Sequence, residues 1–121
     1  MKPTYPTIGV VGAGAMGRGI AQIAAQAGST VKLYDTQAPA IEQAIASLSA
    51  QWHKLAEKGK LSAEQVQANI ARLHPCTTLS GLADCQLVVE AIVERLDIKQ
   101  SLFGELESIV ADDAVLVTNT S

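Results

Sequence analysis

The run Gly12-Ala13-Gly14-Ala15-Met16-Gly17 constrains the fold of this chain more than any other feature. A G-x-G-x-x-G spacing means little alone in a sequence rich in Gly and Ala, so its flanks decide its weight. Before it stands Thr7-Ile8-Gly9-Val10-Val11, a short β-prone run. After it, Met16, Ile20, Ile23, Ala24 and Ala27 recur at helical spacing and predict the inner face of a helix. Gly28 is placed to stop that helix, and Thr30-Val31-Lys32-Leu33-Tyr34 resumes as a strand that ends at Asp35. Strand, glycine turn, helix and second strand make a βαβ unit in which each glycine has a task. Gly12 allows a tight turn, Gly14 lets a pyrophosphate approach the backbone, and Gly17 lets helix and strand pack closely. The exposed N–H groups at the helix start then favour phosphates. Asp35 lies about 20 residues on, where a carboxylate can accept from the adenosine ribose hydroxyls and repel a 2′-phosphate. NAD is therefore expected over NADP, held by Gly12, Ala13, Gly14, Ala15, Met16, Gly17 and Asp35.

The remaining chain extends the same alternation. Pro39 suits a first helical turn, and Ile41, Ala44, Ile45, Leu48, Trp52 and Leu55 form an amphipathic stripe that Gly59 ends. Ser62-Ala63-Glu64-Gln65 reads as a capping box for a second helix, with Val66, Ile70 and Leu73 inward and Pro75 beyond its end. The two helices form a hairpin ahead of the next strand, Gln86-Leu87-Val88-Val89-Glu90-Ala91, whose near-continuous apolar character suits burial on both faces. A helix carrying Ile98, Leu102, Leu106, Ile109 and Val110 is expected next, then a last strand at Ala114-Val115-Leu116-Val117-Thr118. The predicted class is α/β: a Rossmann-type parallel sheet with helices on both faces and an inserted helical hairpin, one NAD-binding domain over residues 1–121.

Composition closes off other classes. The 48% apolar content with few aromatics suits Ala-faced helices on a Val/Ile sheet, and a net charge of -3 without a basic run argues against nucleic acid. No stretch reaches the roughly 20 apolar residues of a membrane span, and the N-terminus has no signal-peptide core, so a soluble cytoplasmic protein is expected. Cys76 and Cys85 lack partners at metal-ligand spacing, so no metal is expected and both read as core thiols.

Three blocks resemble a known family. They are Ile8 to Ala21 around the glycine turn, then Val89-Glu90-Ala91-Ile92-Val93-Glu94-Arg95-Leu96 with Lys99, Leu102 and Phe103, then Thr118-Asn119-Thr120-Ser121. Together they are similar to the NAD-dependent L-3-hydroxyacyl-CoA dehydrogenases, including the 3-hydroxybutyryl-CoA enzymes. Gly59-Lys60-Leu61-Ser62-Ala63-Glu64 looks most like the bacterial branch that serves phenylacetate and related acyl-CoA catabolism.

The resemblance implies an enzyme that oxidises the C3 hydroxyl of an L-3-hydroxyacyl-CoA to the 3-keto thioester, with hydride transfer to NAD. It implies that Glu94, Lys99 and Asn119 belong to the cofactor site and that the Ser121 hydroxyl bonds the substrate's C3 oxygen. The hairpin is where the coenzyme A tail is expected, and Lys54 and Lys58, one turn apart, are candidates for its phosphates. In the family the catalytic histidine and its glutamate follow the Asn-Thr-Ser motif, and a C-terminal helical domain makes the homodimer. The chain is therefore expected to be an N-terminal part, truncated before both and inactive by itself; His53 and His74 stand in the wrong places to serve as the base. Two other readings stay open: an NAD(P) dehydrogenase of the 3-hydroxyisobutyrate or 6-phosphogluconate type, and a non-catalytic, crystallin-like NAD-binding protein.

Overall fold

The computed structural model describes residues 6–91, 104–105, 108–110 and 115–118. In chain order these form strand β1 (Thr7–Val11), helix α1 (Ala15–Gln26), β2 (Thr30–Tyr34), α2 (Ala38–Glu57), α3 (Ala63–Ala71), β3 (Leu73–Cys76), a 3-10 turn (Leu79–Leu82), β4 (Leu87–Glu90) and β5 (Val115–Thr118). The five strands make one sheet ordered β3-β2-β1-β4-β5, and every pairing is parallel. The chain runs outward from β1 to one edge and then returns to build the other half. The order thus reverses between β1 and β4, which is where open α/β sheets bind ligands.

Alternation along the strands divides the core into two layers. Ile8 and Val10 of β1, Val31 and Leu33 of β2 and Leu73 of β3 face α1, α2 and α3, where Ile41, Ala44, Leu48, Trp52 and Val66 close over them. On the other face Val11, Val88, Cys76 and Cys85 pack with Leu79 and Leu82 of the 3-10 turn, and Ile109 and Val110 lie against them. Residues 104–105 and 108–109 are helical. Helices therefore flank both faces, and the hairpin of α2 and α3 stands between β2 and β3 as the stripe and capping box predict.

The local signals operate as read. Pro39 falls in the first turn of α2, and the Ser62 hydroxyl accepts from the Gln65 N–H while the Gln65 side chain accepts from the Ser62 N–H. Gly59 holds φ at +75°, a left-handed geometry that closes α2 in the way a C-terminal glycine should.

Two expectations need correction. Of the expected inner face of α1, Met16, Ile20, Ile23, Ala24 and Ala27, only Ala24 is buried, with Ile20 partly so; the helix otherwise buries Gly17, Ala21 and Ala25. Met16 is 43% exposed and Ile23 71%. The buried face is turned by one residue, about 100° around the axis, because the helix lies so close to the sheet that only Gly and Ala fit between them. Leu73 likewise is not on the inner face of α3, which ends at Ala71, but opens β3, and Pro75, beyond the helix as expected, is not in open chain. It sits inside β3, paired with β2 opposite Leu33, on the sheet edge where a missing N–H breaks no ladder bond.

Cys76 and Cys85 are both free and buried, as expected of core thiols. Burial pushes the Cys85 thiol up to about 11, and a thiol is nucleophilic only as thiolate. At pH 8 the folded protein should alkylate at Cys85 about 100-fold more slowly than the urea-unfolded chain. Peptide mapping after a timed iodoacetamide pulse reads this directly, and equal labelling in both states would refute the buried placement.

No helix among the described residues is long and apolar enough to cross a membrane.

Candidate functional site

The carboxyl ends of β1, β2 and β4 lie level, since Val11 pairs with both Tyr34 and Glu90. At that edge the chain leaves β1 through the glycine turn. Gly12 has φ at +113°, a conformation that L side chains rarely adopt, and its N–H donates to the Tyr34 carbonyl at 2.7 Å. This bond ties the turn to the end of β2. Gly17 answers a different demand: a Cβ built there would stand 1.7 Å from the Gly12 carbonyl oxygen and 2.8 Å from its carbon. The first turn of α1 therefore rests directly on the backbone of the turn.

Gly14 is the third case. It caps α1 in ordinary extended geometry at φ -74°, without a side-chain cap, and a Cβ there would meet nothing within 4 Å. Its side of the turn is open, so a pyrophosphate fits there against backbone N–H groups and the positive end of a helix dipole. Ala13 is buried beneath the turn at 5% exposure, whereas Ala15 and Met16 are exposed beside Gly14.

Asp35 occupies the end of β2, and the structure gives its carboxylate a second occupation. Oδ2 accepts from the Ala13 N–H at 2.8 Å, and Oδ1 accepts from the Gln37 N–H at 2.8 Å. The acid expected to meet a ribose thus also braces the glycine turn from across the strand gap and shapes the chain into α2 through an Asx turn. Each carboxylate oxygen keeps acceptor capacity for a hydroxyl. The neighbouring Tyr34 phenol is pushed up from its ordinary value by burial, with the Glu105 and Asp35 charges adding to the effect, so it stays neutral.

One polar residue was not singled out in the sequence. Glu90, at the carboxyl end of β4 beside Val11, is 1% exposed. The signal available was an acid inside an otherwise apolar strand run.

The structure brings together Gly12, Ala13, Gly14, Ala15, Met16, Gly17 and Asp35. It does not bring Lys54 and Lys58 to them. Both are exposed at the far end of α2, and Lys54 lies about 24 Å along the helix from its start near Asp35. Glu94, Lys99, Asn119 and Ser121 lie outside the described residues.

Residues 7–121 match the family described as 3-hydroxyacyl-CoA dehydrogenase, NAD binding domain. A 3-hydroxyadipyl-CoA dehydrogenase of Escherichia coli (strain K12) is 42% identical over 121 residues, covering 100% of this chain and 26% of that protein. A probable 3-hydroxybutyryl-CoA dehydrogenase of Deinococcus radiodurans is 44% identical over 113 residues, 93% of this chain and 40% of its own length. Among solved structures, the 3-hydroxybutyryl-CoA dehydrogenase of Escherichia coli K12 superposes with a TM-score of 0.93 at 40% identity, covering 98% of this chain and 25% of that one. The (S)-3-hydroxybutyryl-CoA dehydrogenase of Ralstonia eutropha gives 0.91 at 31% identity, covering 98% and 42%. The chain thus spans well under half the length of these relatives.

Proposed function

The chain belongs to the family of the 3-hydroxyacyl-CoA dehydrogenase NAD-binding domain, and from that premise we propose that it serves the oxidation of an L-3-hydroxyacyl-CoA at C3 to the 3-keto thioester. The observation that carries this reading is the glycine turn, with an open flank at Gly14 and the Asp35 carboxylate beside it at the carboxyl edge of the sheet. NAD, when bound, supplies the hydride acceptor. Gly12 to Gly17 and Asp35 hold it, and Glu94, Lys99 and Asn119 are assigned to its nicotinamide half. Ser121 is assigned to the C3 oxygen of the substrate, and Lys54 and Lys58 to the phosphates of coenzyme A. The domain assignment covers residues 1–121, with a homodimeric enzyme working in the cytoplasm as part of the same reading. The finer placement, in the bacterial branch that handles phenylacetate and related acyl-CoA thioesters, is supported by Gly59 to Glu64 and by the likeness to a relative named for 3-hydroxyadipyl-CoA.

Calorimetric titration tests the cofactor half. NAD should bind saturably and NADP at least about tenfold more weakly, because the Asp35 charge opposes a 2′-phosphate; equal affinities would overturn the assignment. For the substrate half, acetoacetyl-CoA should bind, and Lys54→Gln with Lys58→Gln should weaken it several-fold without touching NAD affinity. If the double variant binds acetoacetyl-CoA as the parent does, the two lysines are solvated surface.

The brace at Asp35 makes a further prediction. Asp35→Ala removes the acceptor of both N–H groups, of which the Ala13 donor is partly buried and the Gln37 donor exposed. A partly buried donor losing its acceptor costs about 1–3 kcal/mol. Thermal melting should therefore fall together with NAD affinity, the latter by about tenfold. A variant that lost NAD at an unchanged melting temperature would show the brace to be idle.

A further inference from the structure

At the opposite end of α1 from the glycine turn, α1 and α3 flank a solvent-open cavity of about 300 Å³ lined by Gln26, Leu61, Gln65, Ala68, Asn69 and Arg72. Three of these residues carry amides, and the orientation of each amide is forced. The Gln26 Oε1 accepts from the Trp52 indole Nε1 at 2.9 Å, the Gln65 Oε1 accepts from the Ser62 N–H at 2.8 Å, and the Asn69 Oδ1 accepts from Arg72 Nη1 at 3.1 Å. An indole N–H, a backbone N–H and a guanidinium can only donate, so none of these side chains can be flipped without losing its bond. With their oxygens so engaged, the amides offer a ligand mainly their N–H₂ donors.

Arg72 adds charge to this bias. Its Nη1 also donates to the Ala25 carbonyl at 2.9 Å, which anchors the guanidinium at the end of α1, and only some of its five N–H groups are used by these bonds. Among the described residues no acidic side chain lines the cavity. Asn69 is 5% exposed, so its side chain is fixed rather than free to swing into solvent. Leu61 and Ala68 complete the wall with apolar surface. A recess with amide donors, an anchored guanidinium and no carboxylate is chemically complementary to an oxyanion, which a planar guanidinium pairs with well.

We propose that this cavity is a second binding site, specific for a small ligand bearing a phosphate or carboxylate group. It lies about 18 Å from the glycine turn, the length of the twelve-residue α1. It is separate from the cofactor site and does not depend on what the turn holds.

The test uses the side-chain amide signals of Gln26, Gln65 and Asn69 in heteronuclear NMR of the protein, titrated in one arm with inorganic phosphate and in another with succinate at constant ionic strength. The three signals should shift together and saturate in at least one arm, and the arm that saturates identifies the oxyanion. Ala68→Glu is the decisive variant, because Ala68 is only half-buried and a glutamate there sits four residues before Arg72, where it pairs with the guanidinium in place of a ligand. It should weaken anion binding at least about tenfold while leaving NAD titration unchanged, which also certifies the fold. Ala68→Gln, neutral and of the same size, should bind more tightly than Ala68→Glu. Shifts that never saturate in either arm, or saturation that Ala68→Glu leaves intact, would overturn the proposal.

Discussion

A Gly17→Ala variant should lose both stability and cofactor, whereas Gly14→Ala should lose the cofactor alone. At Gly17 the new methyl would stand 1.7 Å from the Gly12 carbonyl oxygen. The opposing atoms are backbone, so no rotamer change relieves the overlap, and either α1 or the turn must move by more than 1 Å. Alanine is the better helix former by about 1 kcal/mol, which offsets only part of an overpacking penalty at the upper end of about 1–3 kcal/mol or beyond. A fall in Tm of several degrees is expected for a domain of this size. Because the same displacement carries the phosphate-facing N–H groups out of place, NAD affinity should fall by about 100-fold. Gly14 provides the contrast: its φ suits any residue and its Cβ would meet nothing within 4 Å. Differential scanning calorimetry with NAD titration separates the two variants, and a Gly17→Ala protein that melts with the parent would contradict the close packing described here.

The second large effect is expected at Trp52. Its side chain is fully buried at 0% exposure in the layer between the sheet and the hairpin, and its indole N–H bonds Gln26. Trp52→Ala removes a large fraction of that layer and should cost about 3–5 kcal/mol, a third or more of the roughly 5–15 kcal/mol that holds a typical domain together. Trp52→Phe should lose less, since it keeps most of the packing and gives up mainly the N–H. Denaturant unfolding should therefore rank the parent above Phe and Phe above Ala; equal midpoints for Phe and Ala would mean that packing contributes nothing there.

How far the sequence foretold these results follows from the kind of signal each element carries. The glycine turn was legible because its demands fall on residue type: a left-handed φ at Gly12 and backbone contact at Gly17 admit few alternatives. The hairpin was legible because α2 is long, with Ile41, Ala44, Leu48 and Trp52 at a clean helical period, and because Ser62 and Gln65 form a local capping motif. The face of α1 was misread because hydrophobic periodicity favours large side chains, whereas the sheet selected the smallest ones. β3 escaped notice because four residues containing a proline carry no alternation to read, and only the neighbouring β2 makes them a strand. Asp35 stands just past the end of β2 as the spacing predicts, but its bonds to Ala13 and Gln37 depend on tertiary geometry that spacing does not encode.

Those two bonds also bear on how the cofactor preference of such a protein can be redesigned. Replacing the acid at the end of β2 with a small or basic residue is the obvious route to a 2′-phosphorylated cofactor. Here that exchange would remove the partner of the Ala13 N–H at the same moment, so the loop would loosen just as its charge became favourable. A switch at position 35 to a residue without an acceptor oxygen therefore works against itself. A workable redesign must introduce a neutral acceptor for the Ala13 N–H first and reverse the charge second, which makes the order of the two substitutions matter.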